Sequence, residues 1–330
     1  MATVAVIGAG AVGRRIARQL AAVPEVDQLI LGARHPQRLR RLGRQLLDVD
    51  VEVIAPGPLP EADVVVLALP AGGHATVAEE ALGRGVHVIS TSDAVSDVEE
   101  LLALDAAATK AERSVIVGAG FSPGLSCLLA RHAGSLFDVV EEVHVARVGS
   151  GGPACQRQLH RARTGFAIDF RDGAWRRRPG GSGRELVWFP DPMGASDCYR
   201  AALPDALLLV PAFPEVERVT ARVAGTRRDR LTAVLPMLRP PHPEGGPGAI
   251  RVELRGRQGS TQRTEIVGAI DHPSAAAASV AAIAAEWSLT EELPAGSWGL
   301  GMLDDPLPWL TELARRGVRA AIFEGVGETA

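Results

Sequence analysis

Residues 4 to 13 read VAVIGAGAVG, and the reading of the amino-terminal half turns on how that stretch folds. Val4, Val6 and Ile7 are β-branched residues of the kind that fill strands, and the run stops at a glycine. Glycines then stand at Gly8, Gly10 and Gly13, and helix-compatible residues follow them. Gly8 permits a tight turn, Gly10 lets a backbone approach a pyrophosphate, and Gly13 allows a helix to pack closely on the strand. A helix beginning there offers amide donors and the positive end of its dipole to phosphate. Strand, glycines and helix together read as a dinucleotide-phosphate turn made by Gly8, Ala9, Gly10, Ala11, Val12 and Gly13.

Outward from that turn, short β-branched runs recur at 28–31, 51–54, 63–69, 86–90 and 115–117. Segments with helical spacing, such as 13–23 and 74–83, lie between most of them. Strands alternating with helices imply βαβ units, so residues 1–138 are expected to form an α/β domain with a doubly wound parallel sheet. From about Val139 the strands become longer and more polar, at 142–148, 185–189, 216–223, 250–257 and 261–270. Gln258-Gly259-Ser260 reads as the turn of a hairpin. Helices are expected at 155–163 and 227–238, a polar loop and helix start at 190–200, and a surface loop at 240–248 (PPHPEGGPG). Residues 139–270 therefore read as an α+β domain on a mostly antiparallel sheet. Asp271-His272-Pro273 opens an alanine-rich helix to about Trp287, with proline near its first position. Residues 271–330 are expected to form helices packing back on the first domain.

The 330 residues suffice for two cores, and no apolar run is long enough to span a bilayer. The first strand starts almost at Met1, which leaves no room for a signal peptide and predicts a cytoplasmic protein. Three separated cysteines show no metal-ligand spacing, so no metal is expected. A net charge of −4 argues against general nucleic-acid affinity. Lys110 is the sole lysine and Tyr199 the sole tyrosine. Tyr199 has no lysine four residues on, and Lys110 precedes the strand at 115–117, at its amino end. Those two facts exclude chemistries that rest on a tyrosine–lysine pair or on a lysine beside a nicotinamide. Cys127 lies inside an apolar helix and is a poor nucleophile candidate.

The strand at 28–31 ends in Gly32-Ala33-Arg34, where an NAD-specific domain usually offers an acid to the ribose hydroxyls. An arginine there pairs with a 2′-phosphate and stacks on adenine. Arg34, supported by Arg38, is read as an NADP clamp, and NADP is the expected cofactor. Leu69 and Pro70 end the strand at 63–69, and Thr91 and Ser92 follow the strand at 86–90. All four belong at the carboxyl edge where nicotinamide and ribose lie.

After the strand at 115–117 comes Gly118-Ala119-Gly120-Phe121-Ser122-Pro123-Gly124. With the amino-terminal glycine turn, this resembles the saccharopine dehydrogenase-like family (the saccharopine reductase and carboxynorspermidine dehydrogenase group). The segments Gly296-Ser-Trp298-Gly and Asp305-Pro-Leu-Pro-Trp309-Leu also resemble that family's closing region. The resemblance implies a Rossmann domain, a second α+β domain, and a G-x-D-P-G turn that would place Gly120 and Phe121 near the cofactor. This chain has Ser122 where the family often has Asp. Ser122 either hydrogen-bonds a substrate or caps the following helix.

Between His144 and Arg163 the chain carries Arg147, Arg157, Arg161 and Arg163, two histidines and no acid. If 155–163 is helical, Arg157 and Arg161 share a face one turn apart, with His160 beside them. Arg147, Arg157 and Arg161 are expected to hold a small anionic substrate. His160 is the candidate proton donor or acceptor, because an imidazole titrates near neutral pH. The leading expectation is an NADP-dependent oxidoreductase acting at a C–N bond or carbonyl of a carboxylate-bearing substrate, with Ser122 and His160 in catalysis. The alternatives are a non-catalytic NADP(H)-binding sensor or scaffold, and a redox-neutral enzyme that keeps its cofactor. The long antiparallel strands and small-residue helix also predict a homodimer.

Overall fold

The computed structural model describes residues 1–237, 240–290 and 293–322. The first sheet and its helices comprise β1 (Thr3–Ile7), α1 (Ala11–Leu20), β2 (Gln28–Gly32), α2 (Pro36–Gly43), β3 (Asp50–Ile54) and β4 (Val64–Leu67). They continue through α3 (His74–Leu82), β5 (His87–Ser90), α4 (Val95–Leu102), α5 (Asp105–Lys110), β6 (Ser114–Val117) and α6 (Leu125–Gly134). Val64–Leu67 and Ser114–Val117 are buried at every position. That is why they read as unbroken apolar runs: a parallel strand has helices on both faces.

The second sheet is built from β7 (Val139–Val148), α7 (Pro153–Ala162), β8 (Phe166–Arg171), β9 (Ala174–Pro179), β10 (Glu185–Trp188) and β11 (Ala195–Arg200). After these come α8 (Asp205–Leu209), β12 (Arg218–Ala224), α9 (Arg227–Thr232), β13 (Gly248–Gln258) and β14 (Thr261–Asp271). The chain closes with α10 (Pro273–Thr290), β15 (Gly296–Gly299), α11 (Leu307–Arg315) and β16 (Arg319–Ile322).

The first sheet has the order β15–β6–β5–β4–β1–β2–β3, all in parallel register. Its direction of winding reverses between β1 and β4, which opens a crevice at the carboxyl ends of those strands. The second sheet has the order β10–β11–β12–β7–β13–β14–β16, with β8 on β12 and β9 on β8. β12 and β7 run parallel, and the other pairs are antiparallel. The α/β and mostly antiparallel α+β architecture is therefore as the sequence indicates, including the hairpin, whose last pair is Gln258 with Thr261.

The closing segment is shared between the sheets. α10 lies against α1, β4 and β5, and from Pro273 to Ala285 every residue except Ala275 is buried. Its alanines let the helix approach α1 closely, so it is a core helix of this chain. Gly296–Gly299 adds a parallel strand beside β6, and Arg319–Ile322 pairs with β14. α6 packs on β13 and β14, and a single apolar cluster joins the two sheets.

Three expected details differ. Residues 195–200 form a strand instead of a helix start, because β12 offers them a partner through Cys198, Tyr199 and Arg200. The closing segment, expected as helices packing on the first domain, also carries β15 and β16, and β16 pairs with the second sheet because β14 offers it an edge. The helix expected at 227–238 is α9, which ends at Thr232; Leu238 lies outside the described residues.

Candidate active site

A cleft of about 580 Å³ follows the carboxyl edge of the first sheet and is closed on the far side by the second sheet's loops. Its floor is the glycine turn. Gly8 has φ +131°, and a Cβ there would lie 2.2 Å from the carbonyl oxygen of Ala68. Only glycine lets the end of β1 pass the end of β4 this closely. Gly13 faces away from the cleft, where a Cβ would meet the Gly8 carbonyl at 2.0 Å, so it fixes α1 against the turn. A Cβ on Gly10 would meet nothing within 4 Å, so that position opens to the cleft. No side chain caps α1 at Gly10. Its first-turn amides are therefore available to phosphate, and the turn fits a dinucleotide.

Beyond β2, Arg34 and His35 border the cleft, and Arg34 is exposed. Arg38 sits in α2, and its side chain lies outside the described residues. Arg14 of α1 also borders the cleft, and its Nη2 donates to Glu244 at 2.9 Å while Arg15 reaches the same carboxylate at 2.7 Å. Glu244 belongs to the 240–248 loop, which thereby straps the second sheet to the phosphate helix. The same joint packs Gly152 onto Ala11, where a Cβ would come within 2.6 Å of the alanine methyl.

Leu69, Pro70, Thr91, Ser92, Gly120, Phe121 and Ser122 line the other end, with Asp93, Arg147, Cys155 and Arg157. Thr91 spends its hydroxyl on the Leu67 carbonyl at 3.0 Å. Ser92 donates to Asp97 at 2.6 Å, and Asp97 also accepts the Gly72 amide at 3.0 Å. Asp97 therefore ties the turns after β4 and β5 together beneath the cleft. His74 is fully buried against Ser90, with burial holding its imidazole below the usual range.

Arg147 is the centre of this end. It is buried, donates from Nη1 to the Ser122 carbonyl at 2.8 Å, and lies 3.4 Å from Asp93 Oδ2. Its guanidinium also sits 5.7 Å from the Phe121 ring centroid. Burial pushes the Asp93 carboxyl above its ordinary value, with Arg147 opposing the shift. Behind the cleft wall, Asp205 of α8 accepts the hydroxyls of Ser122 and Ser126, each at 2.7 Å. Burial raises its carboxyl too, against those bonds and Arg147. The thiol of Cys155 borders the cleft, but burial pushes it up to about 12, as it does for Cys127, so neither is a thiolate at neutral pH.

Two expected residues are not brought together with these. His160 and Arg161 do not reach the cleft, although Arg157 does. α7 meets the cleft with its first turns, Pro153 to Gln158, and then runs away from it. A helix advances about 1.5 Å per residue, so its last turn is carried well past the site. His160 lines a separate cavity, where its Nε2 bonds to the Leu235 carbonyl at 2.7 Å. Arg200, at the end of β11, pairs with Asp169 at 2.6 Å and does not border the cleft. Asp93 and Asp205 were the residues not singled out. Asp93 had a signal in the polar run that ends β5; Asp205 had none.

No curated protein matches the chain by sequence. Residues 3–110 match the model of the semialdehyde dehydrogenase NAD-binding domain. With the glycine turn, this identifies the amino-terminal region as a nicotinamide-dinucleotide-binding domain. The match ends before the first cysteine, Cys127. Among solved structures, the fold is similar to saccharopine dehydrogenase (L-Glu forming) from Saccharomyces cerevisiae. The TM-score is 0.71 at 15% identity, over 98% of this chain and 100% of that one. The chain has the saccharopine dehydrogenase-like fold. Similarity to the DAP dehydrogenase of C. glutamicum is lower, with a TM-score of 0.51 at 16% identity, over 94% of this chain and 98% of that one. Within the saccharopine dehydrogenase-like fold, the cleft described above lies between the two sheets.

Proposed function

We propose that the protein is an NADP-dependent oxidoreductase that moves a hydride to or from a carbon at a C–N bond or carbonyl of a carboxylate-bearing substrate. The observation that carries this reading is one continuous cleft with the uncapped glycine turn at its middle, Arg34 at one end and Arg147 with Arg157 at the other. A bound nicotinamide supplies or accepts the hydride. The chain does the rest. Arg34 pairs with the 2′-phosphate. Arg147, held by Ser122 and Asp93, and Arg157 hold the substrate carboxylate and so orient the reacting carbon. Ser122 is the hydroxyl beside the reacting heteroatom, and Asp93 is the counter-charge of Arg147. Residues 1–138 act as the cofactor domain and 139–270 as the substrate and dimerisation domain, while the described part of the closing segment completes both sheets. The working form is a homodimer, which sedimentation at micromolar concentration checks.

The test is a screen of amino acids and 2-oxo acids with NADP+ or NADPH, followed by the absorbance of the reduced nicotinamide. Turnover of at least one acid, lost in Arg147→Met and reduced in Arg157→Ala, is the expected outcome. A protein that binds NADPH and turns over none of them is a sensor or scaffold instead.

A further inference from the structure

Asp205 is fully buried and borders no solvent, yet it is wired to the cleft. Its Oδ1 accepts the hydroxyl of Ser122, and Ser122 lines the cleft wall beside Phe121 and Arg147. The second hydroxyl on Oδ1 comes from Ser126, in the first turn of α6. Oδ2 has no hydrogen-bond partner among the described residues, and neither does Nε of Arg147. A buried carboxyl oxygen left without a partner is costly unless a proton or a ligand compensates it. Two bonds on one oxygen and none on the other is more than is needed to anchor a turn. It also leaves an oxygen free to carry a proton.

The groups that face Asp205 are few. Ser122, Ser126 and Cys127 come from the turn after β6 and from α6, Arg147 from β7, and Asp93 from the turn after β5. The Cys127 thiol stays protonated, being pushed up to about 12, and an arginine does not give up its proton in a protein. That leaves Asp93 and Asp205 as the groups around Arg147 able to exchange one. A serine hydroxyl by itself is neither acid nor base at neutral pH. With a carboxyl behind it, it relays.

We propose that Asp205 is a positioning residue that stores the reaction's proton and delivers it to the cleft through the hydroxyl of Ser122. This rests on the oxidoreductase reading above. In the reducing direction a bound dinucleotide would supply hydride to the substrate carbon, and the C=N or C=O pair would move to the heteroatom. Ser122 gives its proton to that nitrogen or oxygen, and the Asp205 carboxyl, turning its protonated oxygen toward the vacated Oγ, replaces it. Ser122 ends as a hydroxyl and Asp205 as a carboxylate. Oxidation runs the same path backwards, with Asp205 receiving the proton.

The experiment needs no substrate. An oxidised nicotinamide ring carries a positive charge that the reduced ring lacks, and next to Ser122 it favours an ionised Asp205. Calorimetric titration of the full-length protein with NADP+ and with NADPH, each in two buffers of different ionisation enthalpy, counts the protons released. Wild type and Asp93→Asn should release protons on binding NADP+ and not on binding NADPH. Asp205→Asn, which keeps an acceptor for both serine hydroxyls, should bind both nucleotides within about twofold of wild type and lose the difference. A difference that survives Asp205→Asn, or that vanishes in Asp93→Asn, overturns the proposal and places the proton on Asp93. No difference in the wild type overturns it too. Infrared spectra provide a second arm. The carbonyl stretch of a protonated acid should be present in the wild type at neutral pH, absent in Asp205→Asn and shifted in Ser122→Ala. A missing band, or one that Ser122→Ala leaves in place, overturns the proposal even if neither nucleotide binds, an outcome that would separately defeat the cofactor reading.

Discussion

The phosphate half of the cleft is made of backbone, and the substrate half is made of side chains that meet from distant segments. Gly8 to Gly13 form the first within six consecutive residues, so one turn and one helix start carry the site. In the other half, Arg147 reaches Asp93 across 54 positions, and Ser122 reaches Asp205 across 83. The difference has a physical basis. Phosphates accept from any correctly spaced amides, so glycine conformation is enough. A substrate with its own functional groups needs particular side chains at particular points, and only tertiary folding assembles them.

The largest effect should come from the backbone half. Gly8→Ala puts a methyl on the Ala68 carbonyl at a φ that favours glycine. A loss of about 3 kcal/mol or more is expected in urea unfolding, with loss of nucleotide binding. A stable, nucleotide-binding Gly8→Ala protein would break the claim that this half is set by backbone. In the side-chain half, Arg147→Met removes the counter-charge of Asp93 and the donor to Ser122. The expected cost is about 2 kcal/mol, below that of a sealed ion pair because Asp93 opens to the cleft on one side.

A smaller effect sharpens the comparison within one helix. With NADP+ bound, Arg157→Ala should weaken glutamate or 2-oxoglutarate, used as carboxylate probes, by about tenfold, or about 1.4 kcal/mol, while Arg161→Ala leaves them unchanged. Equal effects would mean that α7 does not leave the cleft after its first turns. The last effect is one of pH dependence and belongs to the opposite, amino edge of the sheet. Burial, then Arg113, holds the His87 imidazole down to about 4, and its Nδ1 accepts the Ser114 amide. In the unfolded chain it titrates at its ordinary 6.5, so the unfolded state binds the proton first as pH falls. Stability due to His87 is present above 6.5 and is lost as pH drops toward 4. His87→Gln should flatten that part of the Tm profile without changing nucleotide affinity; an unchanged slope contradicts it.

This division also explains what the sequence made legible. The glycine turn, Arg34 and the alternation of strands and helices are local patterns, and the parallel sheet follows from them. Ser122 was visible because it sits in a glycine-flanked turn. Asp205 stands in an ordinary apolar run, Leu203-Pro204-Asp205-Ala206-Leu207, and acquires its role only when α8 is laid against α6. His160 was misplaced because the spacing on α7 gives a shared face and not the direction in which the helix leaves the cleft. Gly296–Gly299 is a strand only because β6 offers it an edge, so four residues rich in glycine gave no periodic signal.

The central claim is that one cleft holds a dinucleotide at its glycine turn and selects the phosphorylated form through Arg34. Titration of NADPH and NADH against wild type and Arg34→Ala, in one buffer, tests it most directly. The account predicts that NADPH binds the wild type at least about tenfold tighter than NADH, or about 1.4 kcal/mol, and that Arg34→Ala removes the difference by weakening NADPH alone. Equal affinities in the wild type, or a preference untouched by Arg34→Ala, would contradict the phosphate clamp, and failure of both nucleotides to bind would contradict the site itself.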